Sequence, residues 1–415
     1  MKLVSESRLR IRNAFETSLY RNSFFLLLAY FSDAVLAFAF WAISANLYPK
    51  EYVGIATGAI SLLFLTVTLS RVGLDQSLIR HFPDGDKGAI LSTCLAVTTL
   101  LALLMGIGSA ILGVNWSFST VNNEGFVLWF LVFVSAESAV SITSTAFIAV
   151  RRADLFWIQR LIADSKILLL FVFRDLGVMG IVISFGIPLF AAIAFAVATL
   201  RVVLGIRLGR VNLGFLKSSS KFAAGNYVSA ILLASPAQIV PLIILGTVGA
   251  EATASYYIAY GIGSVLFFVP GAFSTSLFVE GSHGEHLSET SRRANIGSGM
   301  VLIPLVALTW LLGGFVLNIV GSSYTDGLGV LRIVALSSFF VAFTWNYISV
   351  LRVRKNIRLL VLVSGVFFLL PILFTYSLVP RFGLSSAGYP WLVSYGVSSL
   401  LILAVSITQR RQGDS

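Results

Sequence analysis

The sequence predicts an all-α, polytopic membrane protein with 12 transmembrane helices in two sets of six. Three observations predict it. The 415 residues are 57% hydrophobic and only 11% charged, with a mean hydropathy of +0.92, whereas soluble domains carry about 25% charged residues. The apolar residues fall into runs of about 20, the length of helix that crosses a bilayer. Finally, 25 of the 29 Lys and Arg residues fall on one side once those runs are threaded through a membrane, leaving Lys50, Arg174, Arg332 and Arg381 on the other. Such a bias marks the cytoplasmic side. It supports the span count and puts both termini in the cytoplasm; a multi-pass protein of the plasma (inner) membrane is the expectation. The formal charge of +11 is therefore read as topology, and no nucleic-acid partner is expected.

In chain order the predicted spans are 22–46, 53–75, 88–112, 125–150, 156–174 and 178–205, then 224–247, 254–278, 297–319, 328–350, 359–378 and 387–408. The first run is far longer than the 7 to 15 or so apolar residues of a signal peptide and lacks a small-residue cleavage site, so it reads as a retained span. The polar segment 206–223 separates an N-terminal half, 1–210, from a C-terminal half, 211–415. A shift of 200 residues lays Glu51 on Glu251 and Ala59 on Ala259, each opening the second span of its half. Two halves in the same orientation suit parallel repeats about an axis along the membrane normal.

Charges inside the spans are the candidate functional residues, because an Arg at mid-bilayer costs roughly 2.5 to 3.5 kcal/mol unless it faces protein or water. The stretch Thr66–Pro83 holds Arg71, Asp75 and Arg80. Two readings stand: a polar lumen that holds an anionic group, or positive-inside anchoring with Arg71 and Asp75 neutralising each other. On a continuous helix Arg71 lies roughly 13 Å deeper than Arg80, which makes it the sharper candidate. Asp33, mid-way along the first span, must find a partner or a proton, and Arg71 is its expected partner. Glu137 sits in the small, polar run SAESAVSITST, which suits close packing or a water-lined face. Arg160 and Asp164 are one turn apart and are expected to pair, leaving Lys166 on another face. Arg332 is expected at the interface.

Six of the ten prolines fall inside predicted spans, and the seventh span has two, in SPAQIVP. Pro236, Gln238 and Pro241 are the expected gating residues, since broken helices persist where polar groups or cavity water satisfy the freed carbonyls. The single Cys94 excludes a disulfide framework. His283-Gly-Glu-His286 lacks the supporting ligands of a metal site. No Ser/His/Asp or Cys/His arrangement emerges, so no enzyme, metal or other cofactor is expected.

Several motifs carry a resemblance. Residues 239–283 read IVPLIILGTVGAEATASYYIAYGIGSVLFFVPGAFSTSLFVEGSH, with a Gly-Ala-Glu turn at Gly249, a Tyr-Tyr-Ile-Ala run at Tyr256 and a Pro270…Ser276-Leu-Phe…Glu280-Gly-Ser-His end. Tyr48-Pro-Lys-Glu-Tyr-Val-Gly54 and Gly73-Leu-Asp-Gln…Ile-Arg80 join them. Together they resemble the polysaccharide-exporter, O-antigen-type flippases of the multidrug/oligosaccharidyl-lipid/polysaccharide superfamily. That resemblance implies two six-helix bundles around a central cavity and alternating access. It implies a lipid-linked oligosaccharide cargo, a polyprenyl-pyrophosphate sugar, flipped to the outer leaflet for surface polysaccharide or lipopolysaccharide synthesis. Cavity cations hold the pyrophosphate in that group, a role that falls here on Arg71 and Arg80, then Lys166, with Asp33 beside them. The expected partners are the substrate, membrane lipids, and glycosyltransferases or a polymerase of the same pathway. The chain departs from the group at Gln238, where many relatives carry an acid. The alternatives are a drug or cation antiporter of the same superfamily, which would rely on Asp33 or Glu137, and a membrane polysaccharide polymerase or ligase. The short external connections argue against the last.

Overall fold

The computed structural model describes residues 18–83, 85–114, 124–282, 287–354 and 356–413. His283 and His286 lie outside them. The described residues are almost all helical: α1 (Ser18–Leu47), α2 (Lys50–Ser70), α3 (Leu74–His81), α4 (Lys87–Val114), α5 (Glu124–Ala149), α6 (Ala153–Asp164), α7 (Lys166–Val172) and α8 (Val178–Val202) precede a non-helical linker. After it come α9 (Leu213–Ala234), α10 (Pro236–Thr247), α11 (Ala250–Ser264), α12 (Phe268–Ser282), α13 (Leu287–Val320), α14 (Leu328–Val353), α15 (Ile357–Phe382) and α16 (Tyr389–Gly413).

Among the described residues, 10 helices are long and apolar enough to cross a membrane. An eleventh span forms if α9 and α10, bent by 41° at their junction, count as one. The remaining expected span, the fifth, 156–174, is delivered as α6 and α7, 12 and seven residues long, broken at Ser165. The second span also ends earlier than its apolar run. Its helix stops at Ser70, Val72 and Gly73 take positive φ values of 41° and 76°, and α3 starts afresh. The eighth span carries a 3-10 turn at Val265–Phe267, three residues before Pro270.

By contacts, the described residues form two compact units, one of 18–43, 66–114 and 124–224, the other of 44–65 and 225–413. The α2 helix is thus divided: through Leu65 it groups with the C-terminal unit, and from Thr66 with the N-terminal one.

In the N-terminal unit, Leu74, Phe82, Leu91, Cys94, Phe147, Phe156 and Leu200 form a buried core that ties α3 to α4, α5, α6 and α8. Small residues let α5 and α8 approach closely. A Cβ at Gly186 would stand 2.3 Å from the Phe133 ring, the packing expected where lipid offers no hydrophobic drive. In the C-terminal unit, α14 carries buried Ser337, Ser338, Thr344 and Ser349. Two of these reach other helices, Ser349 to Ser274 at 2.8 Å and Thr344 to Ser399 at 3.2 Å. An aromatic group fills the space beside it: Tyr260 packs on Trp391 at 4.8 Å, and Trp391 Nε1 donates to Tyr256 Oη at 2.8 Å. The outward faces remain apolar, as with Leu27, Phe31, Leu311 and Phe315.

Candidate functional site

The charges inside the N-terminal unit meet around α6. This helix is short because Ser165 ends it, and it presents two different faces. Gln159, wholly buried, donates to Thr143 Oγ1 at 2.8 Å and accepts from Ser144 Oγ at 2.9 Å, fastening α6 to α5. The face carrying Trp157 and Arg160 turns instead toward α1. Trp157 Nε1 donates to Ser32 Oγ at 3.1 Å, and Arg160 Nη2 donates to Asp33 Oδ1 at 2.7 Å.

Two expected pairings are thereby corrected. Asp33 takes Arg160 as its partner, not Arg71, because α6 lays Trp157 and Arg160 against Ser32 and Asp33 of α1. Asp164, expected on Arg160, is held by Lys166 at 2.8 Å. Residues two apart on an unbroken helix do not face each other; the turn at Ser165 brings these two together. Lys166 also lies 4.9 Å from the Phe185 ring centre and 5.7 Å from that of Phe40. Desolvated contacts of this kind are worth up to about 2 kcal/mol.

Glu137 on α5 lies near enough to Arg160, Lys166, Asp33 and Arg71 to feel their charges. It is 7% exposed, among the small residues that let α5 pack tightly. The group therefore contains three acids, Asp33, Glu137 and Asp164, around two cations, Arg160 and Lys166. The sequence signal that could have found Arg160 is its place as the first Lys or Arg within a span after Glu137. Its i,i+4 spacing from Asp164 pointed to the wrong acid.

Arg71 sits in the turn between α2 and α3, not on a continuous helix, so the 13 Å depth difference from Arg80 does not apply. Its guanidinium is 3.8 Å from Asp75 and donates to Thr68 Oγ1 at 3.2 Å. Both Arg71 and Asp75 remain partly exposed, at 31% and 22%. Arg80 lies in the last turn of α3 and is exposed. Arg332 donates to the Trp310 carbonyl at 3.0 Å with its guanidinium 5.4 Å from the same ring, a snorkelling geometry.

The broken helix of SPAQIVP lies in the C-terminal unit. Pro236 occupies the first position of α10, where its missing N–H costs nothing. Pro241 lies inside α10 and is buried; there its ring removes a ladder donor. Ser235 Oγ and Gln238 Oε1 are buried with no hydrogen-bond partner among the described residues. Among the described residues, no group of three or more His, Cys, Asp or Glu could hold a metal.

Chemically, the α6 group is a set of charge-assisted pairs that keep spare donors. Arg160 spends one Nη2 contact on Asp33 and has further N–H groups, since a guanidinium carries five. Its side chain is 27% exposed and that of Asp33 33%.

No protein-family profile matches the chain, and no curated protein does. Solved structures do. The chain is similar to the lipid II flippase MurJ in an inward closed conformation, with a TM-score of 0.72 at 11% identity, over 92% of this chain and 87% of that one. It is also similar to an outward-facing multidrug resistance MATE transporter of the MOP superfamily, with a TM-score of 0.63 at 13% identity, over 95% and 96%. A Vibrio cholerae MATE transporter, VcmN, aligns with a TM-score of 0.57 at 12% identity, over 95% and 97%. The chain has the fold that these proteins share.

Proposed function

We propose that the chain is a membrane transporter that flips a lipid-linked oligosaccharide by alternating access, its pyrophosphate handled by cations of the N-terminal unit. The observation that carries this reading is the α6 charge group, set within helices of a fold shared with a lipid II flippase. Charges are retained inside spans despite their cost where they serve a pathway. Arg71 and Arg160 are the substrate-binding cations with partly open pairs; Lys166, held by Asp164 and two rings, contributes field more than contact. Arg80, exposed at the end of α3, assists entry. Asp33 competes with the substrate for Arg160 and so resets the site when the substrate leaves. The bend at Pro236, Gln238 and Pro241 serves as a gate. Such a protein works in the inner membrane beside the glycosyltransferases and polymerase that make and extend the glycan.

The test is flipping of a polyprenyl-pyrophosphate oligosaccharide in proteoliposomes, read as sugar newly accessible to an external glycosidase. Arg71→Gln and Arg160→Gln should each cut the rate by tenfold or so, since a charge-assisted contact contributes roughly 1.5 kcal/mol or more. Unchanged flipping by both properly inserted variants would sink the role.

A second reading has one observation in its favour: acids outnumber cations in the α6 group. A drug or cation antiporter should fail on Glu137→Gln and tolerate Arg71→Gln. The vesicle assay with an organic cation in place of the lipid separates the two.

A further inference from the structure

The end of α8 and the linker that follows build a second basic site, away from the α6 group. Helix α8 closes with Gly205 at φ 67° and with Ile206 N–H donating to the Leu200 carbonyl at 2.8 Å, a glycine-based helix stop. The chain then runs along the start of α4 rather than into solvent. A Cβ at Gly88 would stand 2.3 Å from the Arg207 carbonyl, and one at Gly209 2.8 Å from the Ala89 nitrogen. Asn212 N–H donates to Thr93 Oγ1 at 2.8 Å. These contacts fix the linker backbone, and with it the position of Arg207.

Between this linker and α4, α5 and α8 lies a half-open cavity of about 300 Å³, lined by Leu91, Leu95, Val197, Leu200, Arg201 and Arg207 among others. Its floor is mainly aliphatic, with Thr143 of α5 the polar exception. Leu91 and Leu200 are buried, while Val197 opens outward at 41% exposure. Arg201 and Arg207 are exposed at its mouth and enter no ion pair among the described residues. Apolar side chains accompany the basic ones: Leu208, which lines the cavity, is 59% exposed, and Val202, in the last turn of α8, 80%. A solvated loop has no use for such side chains, whereas the boundary of a bilayer does. Charge balance decides what fits: two guanidiniums over an aliphatic floor complement a phosphate carrying an acyl chain. Basic pockets between helices on the cytoplasmic side of membrane proteins take anionic head groups, and the Lys/Arg bias puts this end on that side.

We propose that this cavity binds one anionic glycerophospholipid of the adjoining leaflet, its phosphate on Arg201 and Arg207 and the start of an acyl chain against Leu91, Leu95 and Val197. The lipid fills the gap between the linker and the α4–α8 face and stabilises the N-terminal unit. This inference stands apart from the transport reading, since none of its residues belongs to the α6 group.

The experiment uses the full chain in a neutral detergent, titrated with phosphatidylglycerol or phosphatidylcholine while its thermal midpoint is followed. Phosphatidylglycerol should raise the midpoint, phosphatidylcholine should not, and added salt should weaken the effect. Arg201→Gln/Arg207→Gln should weaken the apparent affinity about 30-fold, at roughly one unit of surface attraction per charge. Val197→Trp, which fills the groove and keeps both charges, should abolish the shift. If the double variant does not fold, Arg207→Gln alone, on the linker, should weaken binding about fivefold. Equal stabilisation by both lipids, or an undiminished shift in the variants that fold, overturns the proposal. So does an equal shift with soluble glycerol 3-phosphate, which would make this an anion site with no need of a lipid.

Discussion

At the scale of single residues, an acid inside a span is explained only when its cation is found. Asp33 found Arg160, and Asp164 found Lys166. Arg160→Ala strands the Asp33 carboxylate. The loss should be about 1 to 3 kcal/mol, below the 3 to 5 of a fully buried pair, because both side chains keep about a third of their exposure. Asp33→Asn/Arg160→Gln removes both charges and should recover most of the thermal midpoint without recovering transport. A double variant as unstable as Arg160→Ala would show that the loss does not come from a stranded Asp33 carboxylate. Outside the apolar runs, at the turn into α6, Arg152 grips Asp154 with contacts of 2.8 and 2.7 Å. That hydrogen bonding holds the Asp154 carboxyl below its ordinary value. Its stabilisation is therefore complete above the unfolded carboxyl value of about 3.9 and is lost as pH falls through the lower folded value. Asp154→Asn should flatten the acid limb of a midpoint-against-pH curve by well under 1 kcal/mol, since both groups are nearly a third exposed; an unchanged acid limb would mean the pair adds nothing.

At the scale of helices, periodicity and length located nearly all the elements, and the prolines located one break, at Ser235. The other breaks carried weaker signals. Ser165 has neither Gly nor Pro beside it; only the buried charges on either side, Asp164 and Lys166, show why the helix must turn there. The break at Val72 and Gly73 was masked by the apolar residues before it. Val72 at φ 41° is a β-branched residue in the left-handed region, a conformation worth on the order of 1 to 3 kcal/mol of strain. It holds Arg71 in the turn beside Asp75 instead of one helical turn away. Close helix contacts were equally invisible. The start of α2 meets the start of α11, where a Cβ on Gly54 would lie 1.8 Å from the Ala250 carbonyl oxygen. Those are the two helix starts that the 200-residue shift superposes. Backbone cannot yield as a side chain does, so Gly54→Ala should lower the thermal midpoint markedly. Gly365→Ala, in α15 with open space around it, should be neutral or stabilising by about 0.5 to 1 kcal/mol. Equal effects at the two sites would refute the close approach.

At the scale of the whole chain, counting Lys and Arg carried the reading furthest, because an error in the number of crossings would scramble the bias. The contacts agree with that threading. Lys50, placed on the sparse side, donates to Ser323 at 2.6 Å and to Asp326 at 2.8 Å, in the connection assigned to the same side. On the basic side, Ala153 N–H donates to Asn22 at 3.3 Å, and the Arg207 carbonyl presses on Gly88. Parity of the crossings is therefore consistent at both ends, while the direction through the membrane rests on charge alone. Labelling can decide it. Cys94 is the chain's single cysteine, buried with its thiol 3.8 Å from the Leu74 carbonyl, so Cys94→Ala supplies a thiol-free background. In that background, Asp175→Cys, at a position whose side chain is 95% exposed on the sparse side, should react with a membrane-impermeant maleimide on intact cells. Arg293→Cys, 72% exposed on the basic side, should react only after the membrane is opened. The reverse pattern would invert the molecule and move the phospholipid site to the outer leaflet. Reaction of both positions in intact cells would mean that an even number of crossings lies between them, and the bent α9–α10 pair would then be the segment that fails to span.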